Sequence, residues 1–245
     1  MYPASSDSRL PGLDTLRATA IILVFLYHYQ GFVAQHSTFG IVGDLGWAGV
    51  DLFFVLSGFL IGDQLLSGLA ADRQLSLSGF YGRRFLRTLP TYLVVLTCYF
   101  MFPAFMGGNP PPPLWRFLTF TQNFGLKPGT AFSHAWSLSI EEQFYLILPL
   151  LALLFTAFGK KRGAAWAVLA AMVAVATWAR YLGWRELRPT GSGGFGVFYS
   201  QVYYASVCRF DEFLPGIALA LLKNFHPTIW KRVEPTATSY LRADC

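Results

Sequence analysis

Charged side chains are scarce in this chain: 13% of its 245 residues, against about a quarter in an average soluble domain. With 54% hydrophobic and 17% aromatic residues, that shortage excludes an ordinary water-soluble enzyme and points to a membrane. Cysteine is nearly absent. Cys98, Cys208 and Cys245 are isolated thiols without C-x-x-C spacing, so neither a disulfide framework nor a thiolate metal site is expected. Histidine is confined to His28, His36, His134 and His226; without H-x-x-x-H or H-E-x-x-H spacing, no metal is expected. No basic tract carries interleaved aromatics on a soluble module, so the net charge of +6 does not signal nucleic acid. There is no internal repeat. After polar Ser5 to Arg9, the first apolar stretch lacks a small-residue cleavage site and is expected to remain as an anchor.

What the chain has instead is a series of apolar runs, near 16 to 35, 46 to 66, 88 to 106, 137 to 158 and 164 to 182. Each approaches the ~20 residues that a spanning helix needs. A sixth, 199 to 222, is long enough but interrupted by Arg209, Asp211, Glu212 and Pro215. The reading is all-α: a polytopic transmembrane helical bundle with five to six spans over residues 1–223, then a cytoplasmic tail, 224–245. GGNPPPPLW between spans three and four is a loop, because consecutive prolines lack donors and favour extended backbone. Most Lys and Arg, including Arg73, Arg83, Arg84, Arg87, Lys160, Lys161 and Arg162, fall on one side if the N-terminus is cytoplasmic, as the positive-inside rule requires.

Within the spans, ionisable residues ask for a reason, because each costs a few kcal/mol in hydrocarbon and usually faces the bundle interior. Arg17 and His28 lie eleven residues apart, about three helical turns, so they share one face ~16 Å apart. Arg17 also reads as an interfacial anchor, Asp14 as an N-cap and His28 as a structural histidine. Asp51, among Gly, Val, Leu and Phe, requires a partner, which Arg or His of the first span would supply. Ser57-Gly58 is a small pair suited to close helix packing, with no G-x-S-x-G elbow around it. Arg83, Arg84 and Arg87 have i, i+3 and i, i+4 spacing and converge on one face. Guanidinium forks there suit phosphates, and equally an ordinary positive-inside patch. Glu141 and Glu142 are adjacent at the start of span four. They point about 100° apart, so one at most faces the same cavity as His28.

Four stretches in order, GLDTLRATAIILVFLYH, GVDLFFVLSGFLI, FYGRRFLRTLP and WSLSIEEQFYLILPLL, with a fainter fifth, CRFDEFLPGIALALL, resemble acyltransferase family 3 of bacterial membrane proteins. That family O-acylates peptidoglycan, lipopolysaccharide and exopolysaccharides. The resemblance implies a cytoplasmic acyl-CoA donor, acetyl-CoA foremost, a carbohydrate acceptor on the far side, and multi-pass residence in the bacterial inner membrane among its lipids. Carried over by motif, Arg17 and His28 match the family's arginine and histidine pair, and Arg84 and Arg87 lie in its R-x-x-R region. Asp51 and Glu141 or Glu142 occupy its acidic positions. The expected chemistry makes His28 a general base or a transient acyl carrier, with Arg17 positioning donor or acyl group. Asp51 or a glutamate would orient His28, while Arg83, Arg84 and Arg87 hold CoA phosphates. The family has roughly ten spans at ~20 residues each, so the chain reads as a shortened gene, a fragment, or one part of an assembly completed by a second subunit. The rival readings are a proton-coupled transporter or flippase of a glycan or lipid, and an inactive truncated homologue; coenzyme A binding separates an enzyme from both.

Overall fold

The computed structural model describes residues 12–107, 109–157, 159, 162–187 and 194–232. Ser5 to Arg9, Lys160, Lys161, Arg188, and the tail from 233 with Arg242 and Cys245 lie outside the described residues. Six helices organise the fold: α1 (Leu13–His28), α2 (Ala48–Ala70), α3 (Leu77–Met101), α4 (Trp136–Ala157), α5 (Arg162–Leu187) and α6 (Leu214–Phe225). Among the described residues no strand forms; Asn109 and Thr130 make an isolated bridge.

Apolar composition and the rarity of internal proline make the helices; local chemistry ends them. Gly12, at φ 95°, precedes α1, so Asp14 is a first-turn residue and not the N-cap. A π-helical turn, Tyr29–Ala34, extends α1 into one 22-residue segment. Ser76 caps α3 by accepting the Gly79 N–H at 3.3 Å, satisfying a donor that would otherwise be orphaned.

Among the described residues, four segments are long and apolar enough to cross a membrane: Leu13–Ala34, Ala48–Ala70, Ser133–Ala157 and Arg162–Glu186. The third expected span, within α3, has 25 residues and hence ~37 Å of length, but Arg83, Arg84 and Arg87 lower its apolarity. The sixth is not a continuous helix. Residues 199–213 pass through a π turn and two 3-10 turns, because Arg209, Asp211 and Glu212 are committed to ion pairs. Pro215 then opens α6 in its first turn, where its missing N–H costs nothing. At twelve residues, α6 is too short for a ~30 Å hydrocarbon layer.

α2 is the central element, burying Phe54, Phe59, Ile61, Leu65, Leu66 and Leu69. α6 lies closest to it, and glycine permits the approach. A methyl group on Gly58 would meet the Phe213 carbonyl, and one on Gly216 the Val55 carbonyl. The core continues from α2 through Phe144 and Leu148 of α4 to Ile217 and Leu221 of α6. Towards the end of α6, Phe225 is buried edge-on against Phe155 at 5.3 Å, and Trp166 donates to His226 at 3.3 Å. A smaller core joins Tyr92 and Leu96 of α3 to Phe117 and Phe132 of the connection before α4. The apolar outer faces of α1 and α5, with Leu16, Ile22, Val175 and Trp178 exposed, are what a helix in contact with lipid or a neighbouring membrane segment presents.

Candidate active site

The end of α1 and the start of α4 border a cavity of about 960 Å³ lined by His28, His134, Trp136, Ser137, Tyr203 and Tyr204, among others. His28 comes to it from the last turn of α1, just before the π turn. Its Nδ1 lies 2.7 Å from the Val24 carbonyl. A carbonyl only accepts, so Nδ1 donates in this bond and Nε2 is left without it. Phe32 stacks on the imidazole at 5.7 Å and Tyr27 meets it edge-on.

A second imidazole faces it. The His134 ring lies 5.8 Å from that of His28, at 70°, packed between Phe132 and Tyr99. Phe132, at φ 58°, adopts a left-handed conformation that a bulky residue rarely takes, at the bend from which a 3-10 turn carries His134 into α4. His134 belongs to no paired-histidine pattern, so its spacing carries no site signal; the signal it does carry is that of a lone histidine beside the apolar start of span four. The amides behind the tyrosine wall were also missed. Buried Asn123 donates to the Tyr204 carbonyl and to Ser206, both at 2.9 Å. Gln143 of α4 donates to Asn123 at 2.9 Å and accepts from Ser206 at 2.5 Å.

The other expected site residues divide into three groups. Arg17 pairs with Asp14 of its own helix at 3.2 Å and does not line the cavity. Asp51 is joined neither to Arg17 nor to His28. Its partner is Arg209, at 2.8 Å, whose other nitrogen meets Glu212 at 2.7 Å. The Arg209 guanidinium also lies 5.2 Å from the Trp136 ring and 4.9 Å from that of Tyr203, so it braces two walls of the cavity from behind. Arg180 locks the neighbouring Asp211 through two bonds of 2.8 and 2.6 Å.

Glu141 and Glu142 lie away from the cavity lining, between α2, α3 and α4. Glu141 accepts from Ser57 at 2.5 Å and from Tyr145, while buried Glu142 faces the α3 side, near Thr88 and Arg84. Arg84 covers the Tyr145 ring at 5.0 Å and interacts with both carboxylates. The arginine trio is therefore not one patch: Arg84 turns inward, half-buried, and Arg83 and Arg87 stay exposed. Gly58 is the close-packing member of its pair and Ser57 a donor. Among the described residues, no three His, Cys, Asp or Glu side chains gather as a metal site would require.

The helical architecture defines a polytopic membrane protein with a histidine-lined cavity between its helices. The chain belongs to acyltransferase family 3: the family's model, described as an acyltransferase domain, matches residues 10–234. It is 30% identical over 239 residues to the peptidoglycan O-acetyltransferase OatA of Listeria monocytogenes, covering 90% of this chain and 35% of the relative. It is 32% identical over 240 residues to the putative peptidoglycan O-acetyltransferase YrhL of Bacillus subtilis, covering 91% and 35%. The O-acetyltransferase OatA of Staphylococcus aureus shares 35% over 167 residues, covering 59% and 25%. The chain thus spans about a third of the length of the first two relatives. No solved structure matches it.

Proposed function

We propose that this chain is an integral-membrane O-acyltransferase domain that moves an acyl group, acetyl foremost, from cytoplasmic acyl-CoA to a hydroxyl of a carbohydrate acceptor across the bilayer. The printed activities of the relatives, peptidoglycan O-acetylation among them, support the reaction class. The observation that carries the reading is the His28 hydrogen bond: Nδ1 is committed to the Val24 carbonyl, so that in the neutral ring Nε2 is the free acceptor nitrogen, in a ring that lines the cavity. In the proposed step Nε2 takes the proton of the acceptor hydroxyl as its oxygen attacks the thioester carbonyl carbon. The C–S bond then breaks and the thiolate leaves with a proton as free CoA.

The remaining assignments follow the distribution of charge. With the N-terminus cytoplasmic, Arg83, Arg84 and Arg87 meet the phosphates of CoA, and Arg84 reaches inward along α4. Arg17 stands near the donor end of α1. Asp51 acts through Arg209 on the cavity wall, and Glu141 and Glu142 hold Arg84 and Tyr145 between the two ends.

The test is release of free CoA from acetyl-CoA by the chain in nanodiscs, with and without glycan acceptors, against His28→Ala and His28→Gln. Acceptor-dependent release falling at least 100-fold in both variants, about 2.7 kcal/mol of transition-state stabilisation, supports the assignment; retained release refutes it. Quenched reactions with radiolabelled acetyl-CoA and no acceptor separate direct attack from transient acylation of His28, since only the latter labels the protein.

A further inference from the structure

The cavity lining also speaks to which acceptors fit, an inference that rests on the acyltransferase reading. Among the described residues, no Lys, Arg, Asp or Glu lines the cavity. Its polar groups are imidazoles, the amides of Gln30 and Gln35, and hydroxyls such as those of Ser133, Ser137 and Tyr27. The guanidinium behind its wall, Arg209, is already neutralised by Asp51 and Glu212. An anionic ligand would find no ammonium or guanidinium free on these walls to offset its lost hydration. A volume of about 960 Å³ is at the upper end for small-molecule sites, enough for more than one sugar ring.

Trp47 supplies the apolar face that such a ligand needs. It is 40% exposed, lines the cavity and immediately precedes α2. Its position follows from two glycines. A methyl on Gly46 would strike the Leu23 carbonyl of α1, and one on Gly49 would come within 2.7 Å of the Ala20 carbonyl. The backbone on both sides of Trp47 is therefore pressed against α1, and its indole is held over the cavity that His28 shares. An indole face beside amides and hydroxyls suits a pyranose ring, whose C–H face stacks on the aromatic while its hydroxyls bond to the polar groups.

We propose that the His28 cavity is an acceptor subsite for an uncharged pyranose ring, stacked on Trp47, and that it discriminates against sugars bearing a carboxylate or phosphate. The ring belongs either to a glycan chain or to a glycolipid headgroup, which share this chemistry.

The test is binding to the chain in nanodiscs, without acyl donor, of chitotetraose and of a hyaluronan tetrasaccharide, which carries glucuronate. Saturation-transfer NMR and titration give the affinities. Chitotetraose should bind at least tenfold more tightly, Trp47→Ala should weaken it about tenfold, roughly 1.4 kcal/mol, and Trp47→Phe should stay within about threefold of wild type. Competition by monoglucosyl-diacylglycerol in the nanodisc assigns the ring to a headgroup, and its absence to a glycan chain; both keep the subsite. Equal or tighter binding of the carboxylated sugar overturns the proposal. So does wild-type affinity in a Trp47→Ala protein with unchanged circular dichroism and thermal transition, the result expected of a tryptophan that only anchors at the interface. Because no donor is present, failed CoA turnover leaves this result standing, and intact turnover does not rescue it.

Discussion

Removing the Asp51 carboxylate separates two roles that a half-buried acid beside the proposed site can have. If Asp51 acts through Arg209, its loss weakens a brace; if it acted on His28, its loss would stop the reaction and leave stability alone. The Asp51 side chain is 32% exposed and that of Arg209 12%. Breaking a fully buried pair by deleting one partner costs about 3–5 kcal/mol, while an exposed pair contributes about 1 kcal/mol or less. Glu212 continues to hold the second nitrogen, and two aromatic rings still cover the guanidinium. The expected cost of Asp51→Ala is therefore intermediate, about 2 kcal/mol, and smaller for Asp51→Asn, which keeps an acceptor. Unfolding in mixed micelles with increasing SDS measures it. A cycle with Arg209→Ala should give a coupling of about 1–2 kcal/mol, because the two side chains touch. CoA release in parallel should show a severalfold rise in acceptor KM with the acetyl-CoA KM unchanged, since the brace supports Trp136 and Tyr203. A coupling near zero, or Asp51→Asn with native stability and no transfer, would refute the reasoning.

Gly58→Ala should destabilise the chain by about 2–3 kcal/mol, the range for overpacking, because the new methyl meets Phe213 backbone and not a yielding side chain; SDS unfolding reads it. Gly82→Ala is the control: nothing lies within 4 Å of the added carbon, so the gain in helix propensity, about 0.5–1 kcal/mol, should appear as stabilisation. Arg84→Lys should raise the acetyl-CoA KM about tenfold while Arg83→Lys changes it less than threefold. Only Arg84 is held over Tyr145, where a planar guanidinium and an ammonium are not interchangeable; equal effects would show that the three arginines act as one diffuse patch.

Much of this architecture was legible because its signals are local. Apolar runs mark helices whatever surrounds them, and α1, α2, α4 and α5 lie where those runs lie. The sixth run, 199 to 222, reads as a span interrupted at Arg209, Asp211, Glu212 and Pro215, but the helix is already broken from Tyr199 onward, where no polar interruption signals it. The partners of buried charges were not legible. Asp51 and Arg209 are 158 residues apart in the chain, and nothing in the spacing of either motif says that they meet. His28 was readable as an intramembrane ionisable group, but its orienting partner was sought in a carboxylate when the Val24 carbonyl, one turn back on the same helix, does that work. The arginine trio shows the limit of face arguments. Helical spacing places Arg84 near Arg87, yet burial separates them, because α4 presents carboxylates to one and not to the other.

The sequence HAWSLSIEEQFY at the start of α4 joins the two ends of the proposed reaction. His134, Trp136 and Ser137 line the cavity; Glu141, Glu142 and Tyr145, at most three turns further on, engage Ser57 of α2 and Arg84 of α3. The neutral end suits an uncharged sugar, and the charged end suits a nucleotide thioester. On this reading only the acyl-bearing arm of the donor enters the neutral region, because its phosphates have guanidiniums at one end and no counter-charge at the other. The distance from Tyr145 back to His134 is eleven residues, ~16 Å along the helix, which is within reach of an extended pantetheine arm. Substitutions at the charged end should therefore change the KM for acetyl-CoA, and those at the neutral end the KM for the acceptor. A substitution at Trp136 that altered donor affinity alone would break that division.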